Sequence, residues 1–173
     1  MTAVALTRAI RRTTGVACGI KWPNDILYKG KKIVGILTEM SAEMDAINYV
    51  VLGMGINVNI AADEFPAELA GIATSLAEAA GRSFCRKTVL QEILAELETV
   101  YLEASRSGFD GILKEWRRLS VTLGQTVQVI GPDRQFSGQA VDIDSSGALL
   151  VRTDGSLETV IAGDVSIRPQ AVG

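Results

Sequence analysis

Histidine is absent from this chain of 173 residues, cysteine occurs only twice, and the excess of either charge is small. Without histidine the commonest metal ligand and the commonest general base near neutral pH are missing. That leaves lysine, carboxylate and amide groups to carry any chemistry. Cys18 and Cys85 have no second pair and stand far apart, which argues against a disulfide framework and against a zinc site. Seventeen Lys and Arg against 20 Asp and Glu give a formal charge of −3, a balance that does not favour non-specific attraction to nucleic acid. No apolar run approaches the ~18 residues of a membrane span, because residues 49–60 are interrupted by glycine and asparagine. No charged-then-apolar leader is recognisable, so the expectation is a cytoplasmic protein with no membrane partner. Internal repeats and low-complexity segments are also missing.

What is present is a folded-protein composition, 47% hydrophobic and 21% charged, in a length that allows one domain or two small ones. Residues 2–10 place Ala3, Leu6 and Ile10 on one helical face, and the helix should run to Gly15. Strands are expected at 17–21, 32–40 and 47–57, with 41–46 as a polar connection. The continuous run Val50, Val51, Leu52 reads as a central strand covered by helices on both faces. Thr88 followed by Gln91 matches a capping box for a helix whose stripe is Leu90, Ile93, Leu94, Leu97 and Tyr101 and which stops near residues 105–108. A second helix buries Phe109, Ile112, Leu113 and Trp116, leaving Lys114, Glu115, Arg117 and Arg118 outside. From about residue 119 the period becomes two. Five short strands are expected at Val127 and Val129, 136–143, 149–152, 157–161 and 165–168. Turn signals at 131–133, 144–147 and 154–156 separate them, a pattern that suggests a small barrel. The domain boundary falls between residues 119 and 123.

The chemistry concentrates at Lys21-Trp22-Pro23-Asn24-Asp25 and at Lys32, with Gly35-Ile36-Leu37 behind it. Pro23 fixes its own φ and biases Trp22 toward extended backbone, so Lys21 closes a strand and Asn24-Asp25 follow on an ordered bend. A turn at Lys29-Gly30 then leads to a strand opened by Lys31 and Lys32. Two lysines, an amide and a carboxylate around one hairpin can line an anion pocket. Each also has a plainer reading: Lys31 and Lys32 as a solvated turn, Lys21 as a strand border, Asn24-Asp25 as an Asx turn or helix cap, and Trp22 as core rather than a stacking surface. Gly53-Met54-Gly55 before Asn57 lacks the third glycine and the helix of a dinucleotide fingerprint. Glycine in a strand points to close approach by a ligand or another backbone, and tight sheet packing with Asn57 capping the strand explains it equally well.

KWPND, KKIVGIL and GMGINVN together, with Ala73-Thr74-Ser75-Leu76, the helical run near residues 92–101 and the C-terminal strands, resemble the biotin-protein ligase family over nearly the whole chain. The resemblance implies an α+β fold: a mixed β-sheet with flanking helices in residues 1–119, part of the ligase catalytic domain, followed by an SH3-like β-barrel in 120–173. It implies a two-step reaction in which biotin and ATP give biotinyl-5'-AMP, and a lysine of biotin carboxyl carrier protein then displaces AMP. Lys32 takes the catalytic position, between biotin's carboxylate and the α-phosphate. A cation there offsets repulsion of roughly 4 kcal/mol per charge pair at about 4 Å. Asp25 matches the aspartate near the acceptor lysine. Biotin is implied for Gly35, Leu37, Gly53 and Gly55. ATP or the adenylate is implied for Lys21, Asn24, Asn57, Asp164 and Arg168, the last two being strand-end charges that are often merely solvated. Magnesium would share the phosphate charge, with no protein ligand set identifiable, and a homodimer is left open.

The family's glycine- and arginine-rich loop, and the segment that holds biotin's ring, have no counterpart in residues 1–19. The chain is therefore expected to correspond to the C-terminal half of the usual ligase and to show little activity alone. Two other readings remain: a non-catalytic binding module that uses the barrel, and a related lipoate-attaching enzyme.

Overall fold

The structure, a computed structural model, describes residues 1–43, 46–131, 135–161 and 166–169, with backbone alone at 42–43, 46–47 and 166–169. Helix α1 (Thr2–Thr14) ends at Gly15, whose φ of 76° and N–H donated to the Arg11 carbonyl make a left-handed C-cap. The expected face is buried, with Leu6 and Ile10 fully inaccessible. Removing such a side chain from water contributes roughly 1.5–3 kcal/mol.

Four strands follow: β1 (Gly19–Lys21), β2 (Asp25–Tyr28), β3 (Lys31–Glu43) and β4 (Ala46–Ile56), hydrogen-bonded in chain order and all antiparallel. The expected mixed sheet is thus corrected. Hairpin-length connections cannot join parallel neighbours, and the only parallel pairings among the described residues are the single bridges Ile20–Ser120 and Lys32–Ala73. The turn at Lys29-Gly30 is where the sequence placed it, with both residues at positive φ (47° and 79°) and Tyr28 opposite Lys31. Two expectations for the next strands fail. The polar connection at 41–46 is instead mostly strand, since β3 and β4 stay paired out to Glu43 and Ala46. Strand β4 is an edge, and Tyr49, Val50 and Val51 are exposed rather than covered.

Beyond β4, two one-turn 3-10 helices (Ala62–Glu64 and Ala67–Leu69) lead to α2 (Leu76–Ala80), capped by the Ser75 hydroxyl accepting from the Glu78 N–H. Helix α3 (Arg86–Ser107) starts after Cys85, not at the Thr88 capping box, because Thr88 already lies inside the helix. Its buried face is Val89, Ile93, Glu96 and Val100; of the expected stripe Ile93 is buried and Leu97 packs against the core, whereas Leu90, Leu94 and Tyr101 are exposed. The shift follows from charge. Arg8 and Arg12 of α1 reach across to Glu96, and Arg12 also to Glu92, so the ionic row sets which side of α3 faces α1. Helix α4 (Asp110–Leu119) buries Ile112, Trp116 and Leu119 but leaves Phe109 exposed at its start.

The last strands are β5 (Thr126–Ile130), β6 (Gln135–Ile143), β7 (Leu149–Arg152), β8 (Leu157–Val160) and β9 (Ser166–Pro169). They form an antiparallel sheet in the order β8-β7-β6-β5-β9. No pairing closes it into a barrel among the described residues. The turn at 144–147 has Asp144 Oδ1 accepting from the N–H groups of Ser146 and Ala148 and Gly147 at φ 86°. Pro132 and Asp133 of the 131–133 turn, and Val165, lie outside the described residues.

The two sheets meet at a hydrogen-bonded seam. The Val121 N–H donates to the Ile20 carbonyl, the Trp22 N–H to the buried Thr122 hydroxyl, and Trp22 Nε1 to the Gly147 carbonyl at 3.0 Å. Trp22 is 3% exposed, which makes it a core and seam residue.

Candidate functional site

Antiparallel register places the expected site residues side by side. Gly35 stands opposite Asp25 on one side and opposite Gly55 on the other, so Asp25, Gly35 and Gly55 form one row across β2, β3 and β4. Two residues along, Leu37 stands opposite Gly53 on the same face. Leu37 is exposed there, and a methyl group added at Gly53 or Gly55 would meet only ordinary contacts, at 3.5 Å or beyond. The fold itself therefore does not require glycine at either place. The room serves whatever lies on the sheet.

Lys32 joins this row through an irregularity in β3. Val34 pairs with Ile26 and Lys32 with Leu27, which leaves Ile33 as an extra residue; Ile33 and Val34 both point into the core and are fully buried. Such a bulge reverses the alternation and brings Lys32 to the outer face with Gly35. The Lys32 ammonium lies 2.5 Å from Asp25 Oδ1, and Lys21 Nζ lies 3.7 Å from Asp25 Oδ2. Asp25 Oδ1 is buried without a well-aligned hydrogen bond, so its neutralisation by Lys32 is an ion pair rather than a directed bond. One carboxylate between two ammonium groups leaves a net positive charge at the mouth of the groove.

The groove has a volume of about 550 Å³, with Lys32, Gly35, Gly55 and Asn57 along its floor and rim. Its far wall, Leu69, Ile72 and Ala73, was not singled out as site in the sequence. Nothing local announces it, because the wall is made by a return of the chain. The Lys32 N–H donates to the Ile72 carbonyl and the Thr74 N–H to the Lys32 carbonyl, clipping the segment onto β3. Asn57 stands at the same clip, its Nδ2 donating to the Thr74 carbonyl at 3.1 Å. Asn59 pins the end of the excursion, donating to the Phe84 carbonyl and accepting from the Phe84 N–H.

Other expected site residues are placed differently. Asn24 exchanges hydrogen bonds with Ile36, its Nδ2 donating to the Ile36 carbonyl at 2.8 Å and its backbone carbonyl accepting from the Ile36 N–H, a cross-strand link to β3 rather than the Asx turn or helix cap weighed for it. Arg168 lies in β9 opposite Gln128, in the second sheet, and none of the described side chains of that sheet lines the groove. Asp164 is outside the described residues. Among the described residues no three acidic, histidine or cysteine side chains converge as a metal site. A second hollow of about 410 Å³ lies between Trp22, Pro23, Trp116 and Ser146 and is lined by none of the expected site residues.

Two family models match the chain: "Biotin/lipoate A/B protein ligase family" at residues 1–57 and "Biotin protein ligase C terminal domain" at 122–168. The bifunctional ligase/repressor BirA of Bacillus subtilis is 40% identical over 167 residues, 96% of this chain and 51% of that protein. The biotin--[acetyl-CoA-carboxylase] ligase of Mycobacterium tuberculosis is 36% identical over 148 residues, 85% of this chain and 52% of that protein. The chain thus spans about half the length of these curated relatives. In three dimensions it resembles the apo biotin protein ligase of Aquifex aeolicus with a TM-score of 0.88 at 27% identity, covering 98% of this chain and 73% of that one. The same enzyme in complex with biotin and ATP gives 0.85, covering 98% and 69%. Matches at both ends of the sequence and a shared fold between them lead to one conclusion: the chain belongs to the biotin protein ligase family.

Proposed function

We propose that this chain carries the lysine-bearing part of a biotin-protein ligase site, which joins biotin to ATP as biotinyl-5'-AMP and passes the biotinyl group to a lysine of biotin carboxyl carrier protein. The observation that carries the reading is the Lys32 ammonium held by Asp25 at the edge of a groove floored by Gly35 and Gly55. Biotin's carboxylate and the α-phosphate repel each other as they approach. An ammonium at the same spot lowers that barrier, and Lys32 is the group of this chain that can supply it. Lys21 adds a second positive charge, Gly53, Gly55 and Leu37 form the surface for biotin, and Asn57 faces the nucleotide side. When the acceptor lysine arrives, Asp25 orients its ammonium and eases the deprotonation that precedes attack.

Magnesium fits this site only as a companion of the nucleotide, since the described residues build no ligand set of their own. Residues 1–119 are read as a portion of the catalytic domain and 120–173 as the family's SH3-like barrel, acting in the cytoplasm. A closing loop supplied from outside these residues completes the site, and without it turnover should be low.

Titration with biotinyl-5'-AMP by calorimetry tests the reading. Binding weakened about tenfold or more by Lys32→Ala, the equivalent of ~1.4 kcal/mol, with an unchanged circular dichroism spectrum, is the expected result. Equal affinity of the two proteins would remove Lys32 from the site. Because one matching family model includes lipoate ligases, lipoyl-5'-AMP belongs in the same experiment, and preference for it would reassign the substrate.

A further inference from the structure

Gly35 differs from Gly53 and Gly55, the other glycines on its face of the sheet. A methyl group built on Gly35 would lie 2.9 Å from Lys32 Cε and 3.0 Å from Lys32 Nζ, and 3.9 Å from Asp25 Oδ1, whereas at Gly53 and Gly55 nothing comes within 3.4 Å. The end of the Lys32 side chain therefore lies directly over the Gly35 Cα. It reaches that place because the extra residue Ile33 turns Lys32 onto the face of Gly35, and because Asp25, paired with Gly35, waits on its far side.

We propose that Gly35 is the positioning residue for Lys32. Its missing side chain is the cradle in which the ammonium crosses β3 to Asp25, and the bulge at Ile33 brings the two into line. Gly35 thus acts through Lys32 rather than by making room for biotin, the role that Gly53 and Gly55 keep. The catalytic meaning of this posture rests on the ligase reading, but the posture itself does not.

The clash that alanine would introduce falls on the flexible end of a lysine and not on backbone. Gly35→Ala should therefore leave the fold intact while driving the ammonium out of its place. The measurement is limited reductive methylation of the whole chain with formaldehyde and cyanoborohydride, reading Lys32 by peptide mass spectrometry against the exposed Lys87. An ammonium paired with Asp25 reacts slowly, so Asp25→Asn should raise Lys32 labelling by up to about fivefold, the ratio equivalent to ~1 kcal/mol. Gly35→Ala should raise it to the same level, and Gly55→Ala should not. Unchanged labelling in Gly35→Ala, or in Asp25→Asn, overturns the proposal. If Gly35→Ala fails to fold, the double variant Gly35→Ala/Lys32→Ala decides: recovery of the fold supports the cradle, and no recovery overturns it. Should the labelling follow this pattern while biotinyl-5'-AMP shows no binding, the ligase reading fails and the positioning of Lys32 stands.

Discussion

Single side chains here do their work through charge placed next to charge. Glu115 illustrates it with a measurable consequence. The Arg118 hydrogen bond holds its carboxyl down at about 2, with burial opposing and Arg8 adding to the effect. A carboxyl depressed in the folded state stabilises above its ordinary pKa, and that contribution disappears as pH falls from about 4.5 toward 2. Thermal melts should therefore show wild type and Glu115→Gln separated at about pH 6 and converging below about pH 3; a separation that persists in acid would refute it. Trp22 gives a second prediction at this scale. Trp22→Phe leaves the Gly147 carbonyl without its indole donor and should cost about 1 kcal/mol in urea unfolding. The effect should be absent if the ring serves only as apolar filling. How much of the site the sequence revealed also differs residue by residue. Lys32, Asp25, Gly35 and Gly55 came from the resemblance of KWPND, KKIVGIL and GMGINVN to a known family; alternation alone would misplace Lys32, which the bulge at Ile33 turns onto the outer face. Asn24 was ambiguous because its partner, the Ile36 carbonyl, is chosen by the pairing of strands and not by its neighbours in sequence.

Among the elements, the hairpin between β2 and β3 shows how turn chemistry fixes a site. Gly30 at φ 79° permits the two-residue turn that sets Tyr28 opposite Lys31, and with it the approach to the bulge at Ile33. Gly30→Ala should cost about 1 kcal/mol in chemical denaturation, and Lys29→Asn should be neutral or slightly favourable. Gly138 is the stronger test of packing. A methyl group there would lie 2.5 Å from the Arg152 carbonyl oxygen and 2.7 Å from Val151 Cγ1. Backbone cannot swing aside, so Gly138→Ala should separate β6 from β7 and lower stability by about 2 kcal/mol or more. The helical stripe of α3 was misread for a reason at this same scale. Ile93 and Leu97 of the expected stripe do face the core, but Leu90, Leu94 and Tyr101 keep helical spacing with them as well as Val89 and Val100 do, and hydrophobicity alone cannot choose between the two flanks. The choice is made by Arg8 and Arg12 on α1, which hold Glu96. The wall at Leu69, Ile72 and Ala73 was illegible because it depends on a chain return closed by the Lys32–Ala73 bridge.

For the whole molecule, the error about β4 matters most. A run of Val50, Val51 and Leu52 has the composition of a covered strand, and the present chain leaves it at an open edge beside exposed Leu37, Met40 and Tyr49. Composition reports what a strand is suited to; the neighbours that cover it are not written into the strand. An apolar edge of this kind recruits other chains or hydrophobic dyes. Concentration-dependent light scattering and dye binding are expected, and Val51→Lys should reduce both.

The seam between the sheets has a last consequence. The Trp22 N–H is satisfied by the Thr122 hydroxyl, the Trp22 indole by the Gly147 carbonyl and the Val121 N–H by the Ile20 carbonyl. A cut at residue 119 would strand these groups in a freshly opened apolar wound. Heated in a calorimeter, both halves should give way in a single event, and neither should survive the other's removal.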